Sequence, residues 1–218
     1  MLPCATCSTS GGSDAVEGTE GGMRIIDLVS DRITAITTGP RTVAALIGFF
    51  VLGYLINGRP FGVAELKSIT GGIGILDMEF LYTPNQAYAH LAAMGEAGRA
   101  FALTHIVPLD LILPAVYTIA YALVITWLLR QWLPANSRWH RLNVVPVIGG
   151  ICDYCENFGI IAMILAWPQE LHGVASFTMA AGFFKFASTG LAFAIILGAL
   201  VGWAARGIRK RCRGCVPQ

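Results

Sequence analysis

Residues Leu142 to Trp167 read LNVVPVIGGICDYCENFGIIAMILAW, an apolar run long enough to cross a bilayer, with Asp153, Glu156 and Asn157 near its middle. Carboxylates at that depth cost at least ~2.5 kcal/mol each on insertion scales, so they are expected to face protein and to have partners. Two other apolar runs supply candidates: Asp110 in HIVPLDLILPAVYTIAY and Lys185 in TMAAGFFKFASTGLAF. The pattern predicts an all-α polytopic membrane protein. Its core is a four-helix transmembrane bundle with a polar layer at mid-bilayer, accompanied by an N-terminal amphipathic helix and an outer-face helix.

The composition agrees. With 55% hydrophobic and 13% charged residues in 218 and a mean hydropathy of +0.63, the chain is too apolar for an ordinary soluble domain. Residues 1–22 are Gly/Ser/Thr-rich and too polar to offset the entropy of ordering, so they read as a disordered tail without a signal peptide. Met23 is as plausible a start as Met1. From Met23 to Thr38, Ile25, Ile26, Val29, Ile33 and Ile36 recur at helical spacing among charged residues, as in a helix lying on a membrane surface.

The membrane domain is expected over residues 23–205, with spans at about 42–57, 101–129, 142–167 and 173–203 and a basic tail over 206–218. Within the long segment between the first two spans, Thr83-Pro84 opens a helix as N-cap and N1 residue that runs through Met94, with Gly95 and Gly98 ending it. Its apolar side suits a helix resting on the membrane face or a lid over a cavity. Pro108 and Pro114 should kink the second span and free carbonyls near Asp110. Arg130, Arg138 and Arg141 lie between spans two and three, and Arg206 to Arg213 follow span four, whereas Pro168 to His172 has no Lys or Arg. The positive-inside rule then predicts an inner-membrane protein with both termini cytoplasmic.

Counting ~1.5 Å per residue from the span boundaries places Asp110, Asp153 and Lys185 roughly 13 to 18 Å deep in a ~30 Å core. They can meet. Asp110, Pro114, Tyr117 and Tyr121 share one helical face; Pro146, Gly149, Gly150, Asp153, Glu156 and Asn157 share another; Thr178, Ala181, Lys185, Ser188 and Ala192 form a small and polar stripe on a third. Three carboxylates and one ammonium cannot all be ionised and paired, so one acid is expected to keep its proton, as acid/base chemistry requires. The same residues would also serve as a buried ion pair that merely fixes helix register.

All six cysteines form C-x-x-C pairs. Cys4, Cys7, Cys212 and Cys215 fall on one side of the membrane and offer four thiolates to a zinc ion, although neither flank has ordered knuckles. Cys152 and Cys155 read first as small packing residues and alternatively as the pair of a membrane thiol oxidoreductase working with a quinone.

The pattern YTPNQAYAHL, GEAGRAF, DLILPAVY and LNVVPVIGGICDYCENFGI, over about Leu76 to Lys185, resembles a group of prokaryotic four-helix membrane proteins to which no activity is attached. Asp77, the outer-face helix and Asp110 followed by Pro114 also resemble, more distantly, the EXPERA group of sterol isomerases and sterol-binding receptors. That resemblance implies intramembrane carboxylates facing a lipid-accessible cavity, with Asp77 at its outer end. The expected function is binding of a lipid-like or isoprenoid molecule, with Asp110, Asp153, Glu156 and Lys185 as candidate catalytic groups and Tyr117, Tyr121, Asn157, Ser188 and Asp77 as ligand contacts. Isomerase-type proton transfer is the chemistry such groups suit. Alternatives are a structural subunit of a larger membrane complex, a homo-oligomer, or a proton-coupled carrier. No cofactor is implied, and no Walker, Rossmann or zincin pattern or nucleic-acid signature is present.

Overall fold

The structure, a computed structural model, describes residues 13–214, with side chains over 22–207. The helices are α1 (Ser13–Ile36), α2 (Gly39–Asn57), α3 (Val63–Thr70), α4 (Pro84–Ala93), α5 (Gly95–Phe101), α6 (Val107–Asp110), α7 (Leu113–Arg130), α8 (Val145–Ala166) and α9 (His172–Gly214). Three short non-α turns join them: 3-10 turns over Leu76–Met78 and Arg138–Val144, and a π turn over Ala102–Ile106. Among the described residues, four helical stretches are long and apolar enough to cross a membrane: Gly39–Asn57, Gly95–Arg130, Arg138–Ala166 and His172–Gly207.

Each begins earlier than the hydropathy alone suggested. The first starts at Gly39 because Thr38 caps it and Pro40 occupies its first turn. The second and third gain polar turns that hydropathy windows pass over, and α9 runs on through most of the expected basic tail. Helix α1 starts at Ser13, within the stretch expected to be disordered, and residues 1–12 lie outside the described residues.

The second crossing is broken where its prolines stand. The π turn precedes Pro108, and the helix loosens at Leu111 and Ile112 before Pro114. Helices α8 and α9 pack closest, through glycines: Gly149 meets Ser188, Gly159 meets Thr178 and Gly182 meets the Glu156 carboxylate. A methyl group at Gly159 or Gly182 would overlap those side chains, so the approach depends on small residues.

Two apolar clusters stack along the bundle. One gathers Leu66, Leu76, Tyr88, Leu91 and Met163 at the end covered by α3 and α4, the cap end. The other gathers Ile125, Leu128, Ala192 and Ala199 towards the basic end. In sequence, every residue of the expected polar layer on α6, α8 and α9 falls between the two. Helix α4 opens with the capping box expected from Thr83, whose backbone N–H donates to Gln86 Oε1 at 2.8 Å while its hydroxyl accepts from Gln86 N at 3.3 Å. It buries Ala87, Tyr88 and Leu91, so it packs on the bundle as well as facing outward.

Helix α1 differs from the expected surface helix in how it is held. Its polar side docks: Asp27 pairs with Arg141 at 2.5 Å, and Arg130 donates to the Thr34 and Thr37 carbonyls at 2.7 and 3.0 Å. Ile25, Leu28 and Ile36 point away from the protein. That leaves an apolar side for lipid to cover.

Candidate functional site

Lys185 stands in the N-terminal half of α9, where Thr178 and Ala181 leave room for a neighbouring helix. Its ammonium lies 2.5 Å from Glu156 Oε2, 3.7 Å from Asp153 Oδ1 and 4.0 Å from Asp77 Oδ2, and it donates to the Asp77 carbonyl at 3.4 Å. Glu156 has no solvent exposure and Lys185 only 9%. Glu156 fits because Gly182, facing it from α9, has no side chain.

Asp110 occupies the far wall. It is buried, makes no ion pair with Lys185 among the described residues, and borders a cavity of about 30 Å³ together with Asp77 and Asn157. The remaining walls are apolar, chiefly Ile75, Ile106, Val107 and Ile160. Such a space holds about one water molecule or one small polar head.

Pro114 explains why Asp110 and Asn157 belong together. Lacking an N–H, Pro114 cannot donate to the carbonyl four residues earlier, which is that of Asp110. Asn157 Nδ2 donates to it instead at 3.1 Å, and Tyr154 OH donates to the adjacent Leu111 carbonyl at 3.0 Å. The D-x-x-x-P on one helical stretch and the Y-x-E-N on the next are therefore two halves of one hydrogen-bonding scheme.

Asp77 is not at the cap end. The segment from Gly71 to Tyr82 dips into the bundle, and Phe80 packs against Phe183 and Phe186 at 5.8 and 5.5 Å, on either side of Lys185 in α9. Leu76 is buried, whereas Met78, Phe80 and Leu81 point outward. The segment behaves as a re-entrant turn, too short to cross and packed on protein along one side. Gly71 and Gly72 admit the chain to it with φ of 72° and 115°. His90 Nε2 lies 3.0 Å from the Gly74 carbonyl, tying it to α4. Burial pushes the Asp77 carboxyl up to about 6, with Lys185 pulling it down and Asp153 adding to the rise.

The structure thus brings Asp77, Asp110, Asp153, Glu156, Asn157 and Lys185 together. Tyr117 joins them with a buried hydroxyl that has no hydrogen-bond partner among the described residues. Tyr121 does not join: it lies among Phe49 and Phe193, at 5.3 and 5.2 Å, in the apolar cluster towards the basic end. Ser188 sits against Gly149, nearly one turn beyond Lys185. Tyr82 was not expected. Its hydroxyl is buried without a partner, and burial, then Glu156 and Asp77, raise its pKa. The clue lay in its place at the end of an apolar, Gly-flanked stretch too short to span.

Four carboxylates surround one ammonium, a formal charge of −3 if all ionise, which burial opposes. Glu156 Oε1 and Asp77 Oδ1 have no donor among the described residues. Cys152 and Cys155 are partly buried free thiols. Cys4, Cys7 and Cys215, and the side chain of Cys212, lie outside the described residues, and with them the expected zinc arrangement. Among the described residues, no group of three or more His, Cys, Asp or Glu side chains is arranged to hold a metal ion.

Compared with known proteins, the chain matches no family model, no curated protein and no solved structure.

Proposed function

We propose that this protein binds the cationic or proton-accepting end of a lipid-soluble molecule at Asp110, within an inner membrane and with both termini cytoplasmic. The observation that carries the proposal is the surplus of acid: Lys185 is contacted by Glu156, Asp153 and Asp77, while Asp110 stands apart on an apolar-walled cavity. A carboxyl in that setting suits an amine head by charge, or an alkene by proton donation. The cavity admits a head group only, so the apolar body would lie along Ile106, Val107 and Ile160. A larger ligand would require the Gly71–Tyr82 segment to swing on its glycines. The resemblance to the EXPERA group and the concentration of arginines at the end opposite the cap support this reading and its orientation.

The test compares a long-chain tertiary amine with the alcohol of the same chain length, by thermal shift of the purified protein in detergent. The amine should raise the melting temperature, the alcohol should not, and Asp110→Asn should abolish the difference while keeping the fold. Equal shifts from both compounds, or an amine effect that survives Asp110→Asn, would refute the reading. The close packing around Glu156 favours a second reading, a charged layer that fixes helix register in a membrane assembly. Those refuting results would favour it.

A further inference from the structure

At the basic end two apolar grooves run down either side of one exposed residue, Trp139. One, of about 530 Å³, lies between α1 and the start of α8, with Ile26, Val144, Val145 and Ile148 on its walls. The other, of about 480 Å³, lies between the end of α7 and α9, with Leu129, Leu133, Ile195 and Ala199. Trp139 and Leu142 line both. Each is of a size that holds small-molecule ligands, and each is more than ten times the volume of the cavity at Asp110.

The cations around them are not equivalent. The guanidinium of Arg141 is held by Asp27 at 2.5 and 2.9 Å. Arg130 is spent on the end of α1, and Arg206 donates to the Trp132 carbonyl. Arg138, next to Trp139 and on the wall of the larger groove, has no carboxylate partner among the described residues. Arg138 and Arg141 both line the larger groove, but only Arg138 is free of a carboxylate among the described residues, and it sits next to the Trp139 that both grooves share. That arrangement calls for an anion that carries two apolar chains.

We infer that Trp139 is straddled by one anionic diacyl phospholipid, with its phosphate on Arg138 and one acyl chain in each groove. A charged head near a basic residue and chains on the apolar walls satisfy both halves of the surface. Trp139 lies between the chains, at the depth where its indole is favoured. The site is separate from the carboxylate cluster and independent of the function proposed for it.

Fluorescence quenching tests this. The protein is reconstituted into phosphatidylcholine vesicles containing ~10% phosphatidylglycerol, with bromine on the acyl chains of either lipid in turn at the same mole fraction. Trp139→Phe isolates the contribution of this residue from those of the other four tryptophans. Brominated phosphatidylglycerol should quench Trp139 at least twofold more than brominated phosphatidylcholine. Arg138→Gln should remove that preference without lowering the melting temperature. Equal quenching by the two lipids would mean ordinary bilayer contact and would overturn the inference. So would a preference that persists in Arg138→Gln.

Discussion

Two buried polar regions hold this bundle together, and they are built differently. At the basic end Asn143, fully buried, reaches the Ser30 carbonyl, the Thr34 hydroxyl and the Thr126 hydroxyl at 3.3, 3.4 and 3.0 Å, and Ser30 donates back to the His140 carbonyl at 3.3 Å. It carries no carboxylate or ammonium, and the Asn143 amide nitrogen has a surplus of acceptors, although its amide oxygen has no donor among the described residues. Around Lys185 the members are charged, acids outnumber bases, and several oxygens and phenols lack a donor or acceptor. A neutral clamp fixes register at low electrostatic cost. A charged cluster with unmatched acids costs more than register requires, which is why a ligand-binding role is assigned to it and not to the clamp.

Lys185→Met should separate the two regions most sharply. It leaves Asp77, Asp153 and Glu156 buried together without a cation, and removing one partner of such a group costs about 3–5 kcal/mol. The protein in detergent should lose most of its thermal stability. Adding Glu156→Gln should recover part of it by removing one unmatched acid. A Lys185→Met protein that melts like the wild type would mean that the cluster is not a connected charge network.

Asn143→Leu tests the other side of the comparison. Losing the amide removes the donor to the Ser30 carbonyl and to the Thr34 and Thr126 hydroxyls and loosens α1, at a cost of about 1–3 kcal/mol, although Thr126 keeps its own bond to the Ala122 carbonyl. Proteolysis should then cut α1 first, because the clamp is one of its ties to the bundle. Amine binding at Asp110 should be unchanged. If it weakened, the two regions would be coupled, and the division between structural and ligand-binding polarity would be wrong.

These regions also differ in how well the sequence announced them. Asp110, Asp153, Glu156 and Lys185 stood out because a charge inside an apolar run has few physical explanations, and their depths followed from counting residues. The four helices long and apolar enough to cross a membrane were legible from their hydropathy. Asp77 was harder to place because its apolar segment is too short to span; only contacts distant in sequence, of Asp77 with Lys185 and of Phe80 with Phe183 and Phe186, carry it inward. The clamp was missed because Asn143, Ser30 and Thr34 are ordinary surface residues by type. The partners of α1 lie 93 to 114 residues away, as with Thr37 and Arg130 or Asp27 and Arg141. The polar docking of α1 was not legible either, although the exposure of Ile25 and Ile36 agrees with an amphipathic helix.

A double-mutant cycle at Pro114 and Asn157 sharpens the account of the cluster's far wall. Asn157→Ala alone should cost about 1 kcal/mol, because the Asp110 carbonyl then has no donor in a buried place. In a Pro114→Ala background residue 114 regains an N–H that can close the helix onto that carbonyl, so Asn157→Ala should cost less. The two losses should therefore be non-additive, with the double variant more stable than their sum. Strict additivity would show that Asn157 acts elsewhere than on the proline break.

The smallest effect concerns Asp77, and it is a slope. The folded pKa, about 6, lies above the ordinary value of 3.8, so the folded protein holds this proton more tightly than the unfolded chain does. The stabilisation from this group is complete below about pH 4 and is lost as the pH rises through about 6. Asp77→Asn removes it, and the melting temperature of the wild type relative to the variant should fall between pH 4 and pH 7. The remaining acids stay in both proteins, so the difference reports Asp77 together with its coupling to Lys185 and Asp153. A difference that does not change with pH would place Asp77 in contact with water. It would then no longer belong to the buried side of the comparison, and the re-entrant segment could not be what seals the cluster from the cap end.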